Sequence, residues 1–67
     1  MDSWLKRARE ASGLTMEECA ASLQKSVDAY AELERRPGQL RLNELAALLR
    51  LFDADGQRIV KTAMRGL

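Results

Sequence analysis

The segment that begins at Thr15 restricts the fold more than any other part of the sequence. Thr15 is followed three residues later by Glu18, the spacing of a capping box, in which each side chain satisfies a backbone N–H of the other residue. Ser26 is a second strong helix cap. The interval "TMEECAASLQK" holds one short helix and a turn of about three residues. This spacing predicts a helix-turn-helix, with Ala20 small enough for a close crossing. A plain helical bundle is the alternative that the spacing leaves open.

Further start and stop signals divide the rest of the chain into three more short helices. Ser3 is placed to cap the first helix, and Gly13 to end it in the left-handed conformation. Pro37 ends the third helix, because proline disfavours helical geometry at the residue before it. A fourth helix is predicted in "LNELAALLRLF", and a fifth begins after Asp53 or Asp55. Strands are not expected, since β-branched residues are sparse and scattered.

Apolar residues recur at helical spacing and mark the inward face of each predicted helix. The fourth helix is apolar over so much of its circumference that we expect it to be central and packed on two sides. The apolar positions are Trp4, Leu5, Ala8, Ala11, Met16, Cys19, Ala20, Leu23, Val27, Tyr30, Leu33, Leu42, Leu45, Ala46, Leu48, Leu49, Leu51, Phe52, Ile59, Val60, Ala63 and Met64, and Gly66 is expected to end the fifth helix. The sequence therefore predicts an all-α, compact five-helix bundle that forms one domain over residues 1–67, with the helix-turn-helix at about residues 15–35.

Residue types exclude most catalytic chemistry. The chain has no histidine, and Cys19 is its one cysteine. It therefore cannot form a His-based catalytic triad, an internal disulfide or a Cys/His zinc cluster. We expect no enzyme activity, no cofactor and no metal, and a packed, inert Cys19 thiol. The polar N-terminal segment and the lack of a long apolar run predict a cytoplasmic chain that does not enter a membrane.

The net charge of +1 conceals an uneven distribution along the chain. Residues 15–34 carry a net charge of −4, and residues 35–67 carry +4. The acidic block coincides with the predicted helix-turn-helix, whereas non-specific affinity for DNA comes mainly from Lys and Arg beside phosphates. Charge alone therefore argues against DNA binding by this segment.

The stretch "LKRAREASGLTMEECAASL", followed by "AELERR", resembles the Cro/repressor-type (XRE family) helix-turn-helix domain. The resemblance runs from about Leu5 to Phe52. It implies a lambda-repressor-like fold and a small transcriptional regulator that binds double-stranded DNA. Arg9 and Glu34 stand where members of this family carry an ion pair between the first helix and the end of the third. The resemblance therefore implies the same structural ion pair here.

The resemblance also implies a set of DNA contacts on and around the third helix. The base-facing positions are Ser26, Val27, Asp28, Ala31 and Glu32, and the phosphate contacts are Lys25, Arg35, Arg36 and Arg41. This chain departs from the family at several of these positions. Met16 replaces a glutamine that can bond a phosphate, and no base-facing residue offers the paired donors that read guanine or adenine. Asp28 and Glu32 instead bring carboxylates toward the phosphates.

Two functions and two association states remain open at this stage. The first function is DNA-binding transcription regulation. The alternative is a protein–protein interaction module that has lost DNA binding and docks its acidic third-helix face on a basic partner. The apolar fifth helix either covers the fourth helix within the monomer or joins it in a homodimer interface, which repressors of this type use to bind paired half-sites.

Overall fold

Short helices follow one another through residues 3–65, the part of the chain that the computed structural model describes. They are α1 (Trp4–Ala11), α2 (Met16–Ser22), α3 (Val27–Arg35), α4 (Leu42–Leu51) and α5 (Ala54–Arg65), with one 3-10 turn at Pro37–Gln39. No strand occurs within the described range. The prediction of an all-α fold with five helices is confirmed. The expected helix stop at Gly66 lies outside the described residues.

Local capping bonds explain where four of the helices begin. The hydroxyl oxygens of Ser3, Thr15 and Ser26 each accept a hydrogen bond of 3.1 Å from the backbone N–H three residues later. Glu18 completes the capping box by accepting from the Thr15 N–H at 3.0 Å. Asp53 caps α5, because its Oδ1 accepts from the backbone N–H three residues later at 3.1 Å. These bonds satisfy N–H groups that the first turn of a helix leaves without partners.

The turns between the first three helices use left-handed backbone conformations. Gly13, after α1, has φ +70°, as its position predicts. Gln24, between α2 and α3, has φ +56°, and the Lys25 N–H then donates to the Ala20 carbonyl at 3.0 Å. A non-glycine residue in this conformation carries about 1–2 kcal/mol of strain. The tight turn that orients α3 therefore stores strain at Gln24.

The core draws at least one buried residue from each of the five helices, and Phe52 joins it from the boundary between α4 and α5. Its members are Leu5, Ala8, Cys19, Ala20, Tyr30, Leu33, Leu48, Phe52 and Val60. α1 packs most extensively on α5 and also contacts α3, while α2 packs on α3 and α4. α1 thus joins the helix-turn-helix unit to the C-terminal helix. No helix within residues 3–65 has the length and apolarity needed to cross a membrane.

The expectation that α4 is the central, two-sided helix is wrong. Leu48 is the one buried residue within Leu42–Leu51, and Leu42 is 82% exposed. α4 packs mainly on α2 through one side, where Leu45 and Leu49 are half-buried against the core, and Leu51 is exposed like Leu42. Val27 and Met64, expected to face inward, are also exposed. An all-round apolar pattern therefore marks an open surface here and not a second packing face.

A glycine that the sequence pattern does not single out sets how closely α1 and α5 pack. Gly56 is buried in the first turn of α5. A Cβ on Gly56 would overlap the Ser12 Oγ and lie 2.8 Å from the Ala8 carbonyl oxygen. Ser12 in turn bonds Asp53, accepting from its backbone N–H at 3.2 Å. The absence of a side chain at Gly56 is thus a requirement of the α1–α5 contact.

Candidate nucleic-acid interface

The outward side of α3 is defined by the residues that α3 buries. Tyr30, Leu33 and Glu34 face inward against α1 and α2. The predicted base-facing residues lie on the other side: Ser26, Val27 and Asp28 are exposed, and Ala31 and Glu32 are half-buried. Ser26 differs from the rest, because its hydroxyl oxygen already accepts from the Ala29 N–H as the helix cap. The structure therefore brings four of the five predicted base-facing side chains onto one surface of α3, with Ser26 at its N-terminal edge.

The Glu32 carboxylate is bound by two arginines of the same segment. Arg35 donates to one carboxylate oxygen from Nη2 at 2.7 Å and from Nε at 3.0 Å. The Arg36 Nε lies 3.5 Å from the other oxygen. The hydrogen bond from Arg35 is the main reason that the pKa of Glu32 lies below its usual range. This cluster carries a net charge of +1, so Glu32 is not the open carboxylate that the sequence suggested.

Lys25, another predicted phosphate contact, forms an ion pair with Glu44 at the start of α4. The Lys25 Nζ lies 3.1 Å from the Glu44 carboxylate, a pair that joins the helix-turn-helix turn to α4. The same carboxylate accepts from the Arg41 backbone N–H at 2.9 Å, and this bond is the main cause of the lowered pKa of Glu44. The Arg41 side chain is exposed and forms no ion pair with another residue of the described range. Lys25 is therefore neutralised, whereas Arg41 remains available to an anion.

Arg9 and Glu34 form a buried ion pair between α1 and α3. The Arg9 Nε donates to Glu34 at 2.6 Å, Nη2 donates to the second carboxylate oxygen at 3.4 Å, and Nη1 donates to the Leu14 carbonyl at 3.0 Å. The two side chains are 11% and 8% exposed. The hydrogen bond to Glu34 raises the pKa of Arg9 further above its usual value. The pair anchors the C-terminal half of α3 and so sets the angle of its outward face.

The helix-turn-helix arrangement has a counterpart among known families. A helix-turn-helix family model matches residues 5–58, which is most of the chain. The chain belongs to the Cro/C1-type helix-turn-helix (XRE) family. Members of this family are DNA-binding regulators and typically are not enzymes. No curated protein and no solved structure matches the chain.

This XRE-family chain has a basic depression between α1 and α3 that the sequence analysis missed. Lys6 of α1 and Arg35 of α3 line it together with Met16, the residue that replaces the glutamine typical of the family. Lys6 and Arg35 lie 29 positions apart in the chain, so only the packing of α1 on α3 shows that they share a surface.

The buried Cys19 and Tyr30 side chains take no part in this surface. Both are fully buried, and burial raises the pKa of each. The thiol therefore stays protonated and shielded at neutral pH. The Tyr30 hydroxyl has no hydrogen-bond partner within residues 3–65. Over the same range, no three carboxylate or thiol side chains are close enough to hold a metal ion.

Proposed function

We propose that the chain is a transcription regulator that binds double-stranded DNA with α3 in the major groove, acting as one domain. The observation that carries this proposal is the binding of Glu32 by Arg35 and Arg36. The two arginines offset the charge of Glu32, one of the two acidic residues that argued against DNA binding, and the C-terminal end of α3 has a net positive charge. Phosphates attract this end, where α3 of an XRE-family domain passes the DNA backbone.

The remaining outward side chains support base contacts of a limited kind. Val27 and Ala31 present methyl groups that fit against the C5-methyl group of thymine. Asp28 forms no ion pair within residues 3–65, and its carboxylate is an acceptor suited to the amino group of cytosine. No outward residue offers the paired donors that read guanine. We therefore propose modest sequence preference, with most of the affinity supplied by phosphate contacts from Arg35, Arg36 and Arg41. Lys25, the fourth predicted contact, is paired with Glu44 and contributes less.

Replacing Arg41 is expected to weaken DNA binding uniformly across sequences. Arg41→Gln removes an exposed cation that has no carboxylate partner among the described residues, so the slope of log affinity against log salt should fall in magnitude by about 1. The measurement is fluorescence anisotropy of a labelled random duplex between about 20 and 200 mM salt. Arg50→Gln is the matched control, because Arg50 is an exposed cation on the far end of α4. Equal slopes for the two variants would contradict the assignment of Arg41.

The alternative function, a protein module that docks on a basic partner, depends on open carboxylates on α3. The double substitution Asp28→Lys with Glu32→Lys tests this alternative, because it should abolish capture of a basic partner while the fold stays intact. It also adds cations on the outward side of α3, so affinity for random duplex should rise at least tenfold whichever function is right. A variant that folds normally and still does not bind duplex at the lowest salt would favour the protein module. Engagement of Glu32 by two arginines favours DNA.

We further propose that α4 and α5 form a homodimer interface. Leu42 is 82% exposed and Met64 43% exposed, and Met64 lines an apolar groove with Trp4, Leu40 and Leu45. Burying a leucine side chain stabilises an association by about 1.5–3 kcal/mol. A C2 dimer buries this surface from both copies and spaces two α3 helices for paired half-sites.

Leu42→Glu is expected to weaken the dimer at least tenfold, because each copy then carries a carboxylate into an apolar contact. Sedimentation equilibrium measures the monomer–dimer constant directly. Val27→Glu is a matched control: Val27 and Leu42 are both exposed apolar residues at the first position of a helix. Wild-type protein that stays monomeric at high concentration, or equal loss in both variants, would contradict the interface.

A further inference from the structure

The outer face of α5 carries a row of cations that lies outside the DNA contacts proposed for α3. Arg58, Lys61 and Arg65 stand at positions i, i+3 and i+7 of the helix, which places them within about 60° of one another around its axis. We name these three residues the α5 basic stripe. Together they line one open surface depression with the small or uncharged side chains of Ala54, Gln57 and Thr62.

A fourth cation extends this surface from the neighbouring helix. Arg7 of α1 lines a second depression together with Arg58, Ile59 and Thr62, because α1 packs along α5. Arg7 is exposed. The positive surface therefore spans two helices that come from opposite ends of the chain, and no single sequence window contains it.

Few carboxylates oppose these cations. Asp55 lies 3.8 Å from Arg58, but both side chains are at least 70% exposed, so water screens the pair strongly. Glu10 is an exposed carboxylate on α1, on the same helix as Arg7. Within residues 3–65, Lys61 and Arg65 form no ion pair. Asp53, the cap of α5, is a third exposed carboxylate, at the N-terminal end of the helix. Four cations against three exposed carboxylates leave this surface positive.

The α5 basic stripe lies on a different surface from the outward side of α3. α1 contacts both α3 and α5, and the depression beside α3 is lined by Ser3 and residues of α1, α2 and α3. None of the three stripe residues contributes to it. An anion bound at the stripe therefore does not occupy the α3 surface.

The chemistry of the stripe fits a polyanion better than a folded acidic protein. Exposed ion pairs between single side chains contribute little to affinity, and the stripe lacks the aromatic anchors that dominate protein interfaces. A nucleic-acid duplex instead releases condensed counterions for each phosphate that a cation neutralises. Neighbouring cations of the stripe are separated by about 4.5 Å and about 6 Å along the helix axis. A nucleic-acid strand carries one charge per roughly 3.4 Å of duplex axis. The cations are therefore close enough together to contact neighbouring phosphates of one strand.

We propose that the α5 basic stripe binds the phosphate backbone of a nucleic-acid duplex as a second contact surface, separate from α3. This contact reads no bases, so it adds affinity without sequence preference. It is independent of the function proposed for α3.

The test compares two triple substitutions that each remove three positive charges. One variant carries Arg58→Gln, Lys61→Gln and Arg65→Gln; the other carries Arg35→Gln, Arg36→Gln and Arg41→Gln. Anisotropy of a random 20-base-pair duplex is measured against salt for both, for wild type and for the Arg50→Gln control, after thermal melts establish that each variant is folded. The stripe variant should lose at least tenfold in affinity at low salt and about 2–3 in the magnitude of the salt slope.

The outcomes separate the two surfaces. If the stripe variant has the wild-type salt slope, the proposal that the stripe binds phosphates is wrong. If the α3-side variant has the wild-type salt slope, the phosphate contacts proposed for Arg35, Arg36 and Arg41 are wrong. Polyglutamate at the same charge concentration serves as the acidic-protein probe. Displacement of duplex from the α3-side variant by polyglutamate as readily as by unlabelled duplex would overturn nucleic acid as the ligand of the stripe in favour of an acidic protein.

Discussion

Glu34→Gln is expected to lower the free energy of unfolding by about 3 kcal/mol, because it leaves the Arg9 guanidinium buried without a counter-charge. The Nη1 bond from Arg9 to the Leu14 carbonyl remains and limits the loss. A chain of this length has a total free energy of unfolding on the order of 5 kcal/mol. The variant should therefore lose more than half of its stability. Urea unfolding followed by circular dichroism gives the midpoint and the free energy.

The same helix supplies a matched control. Glu32 is also ion-paired with an arginine, but it lies at the surface, so Glu32→Gln should leave the midpoint nearly unchanged. If Glu34→Gln does not fold at all, the double substitution Arg9→Met with Glu34→Leu keeps the test informative. It removes both charges and should recover most of the lost stability, since an apolar pair of similar volume replaces the ions. A double variant as unstable as Glu34→Gln would contradict the unpaired-charge explanation.

The starts of α1, α2 and α3 were predictable because their cause is local. Ser3, Thr15 and Ser26 cap helices through bonds to N–H groups three residues away, and this distance is visible in the sequence. Gly13 likewise ends α1 through its own backbone conformation. The Arg9–Glu34 pair spans 25 residues, and it was anticipated through the resemblance to the XRE family and not through spacing.

Charge pairing explains why the electrostatics of the candidate interface were misread. A tally along the chain counts Glu32 as repulsive, yet in the structure Arg35 and Arg36 bind its carboxylate. The same tally counts Lys25 as available, although Glu44 holds it from 19 positions away. Side-chain partners change the effective charge of α3 in both directions. The position of α4 was misjudged for a related reason: periodicity shows which residues are apolar but not how many neighbouring helices are present to cover them.

Gly56 also escaped prediction, since the atoms that require it belong to α1. Gly56→Ala is expected to lower the free energy of unfolding by about 2 kcal/mol, which corresponds to a fall of roughly 10 °C in Tm for a domain of this size. The new Cβ meets the Ser12 side chain and the Ala8 carbonyl, 2.8 Å away. The carbonyl belongs to the α1 backbone and cannot rotate away from the new Cβ, so α5 must shift away from α1. The expected helix-propensity gain of alanine is up to about 1 kcal/mol and does not offset this clash.

Gly38→Ala is the control for Gly56→Ala, because a Cβ on Gly38 meets nothing within 4 Å. Thermal melts should place this variant close to wild type. Ser12→Ala combined with Gly56→Ala tests the cause further: it removes the Oγ contact but leaves the Ala8 carbonyl in place, so stability should return only in part. Full recovery would assign the clash to the Ser12 hydroxyl alone. A Gly56→Ala variant as stable as wild type would show that α1 and α5 separate at no cost, and that their close packing does not hold the C-terminal helix in place.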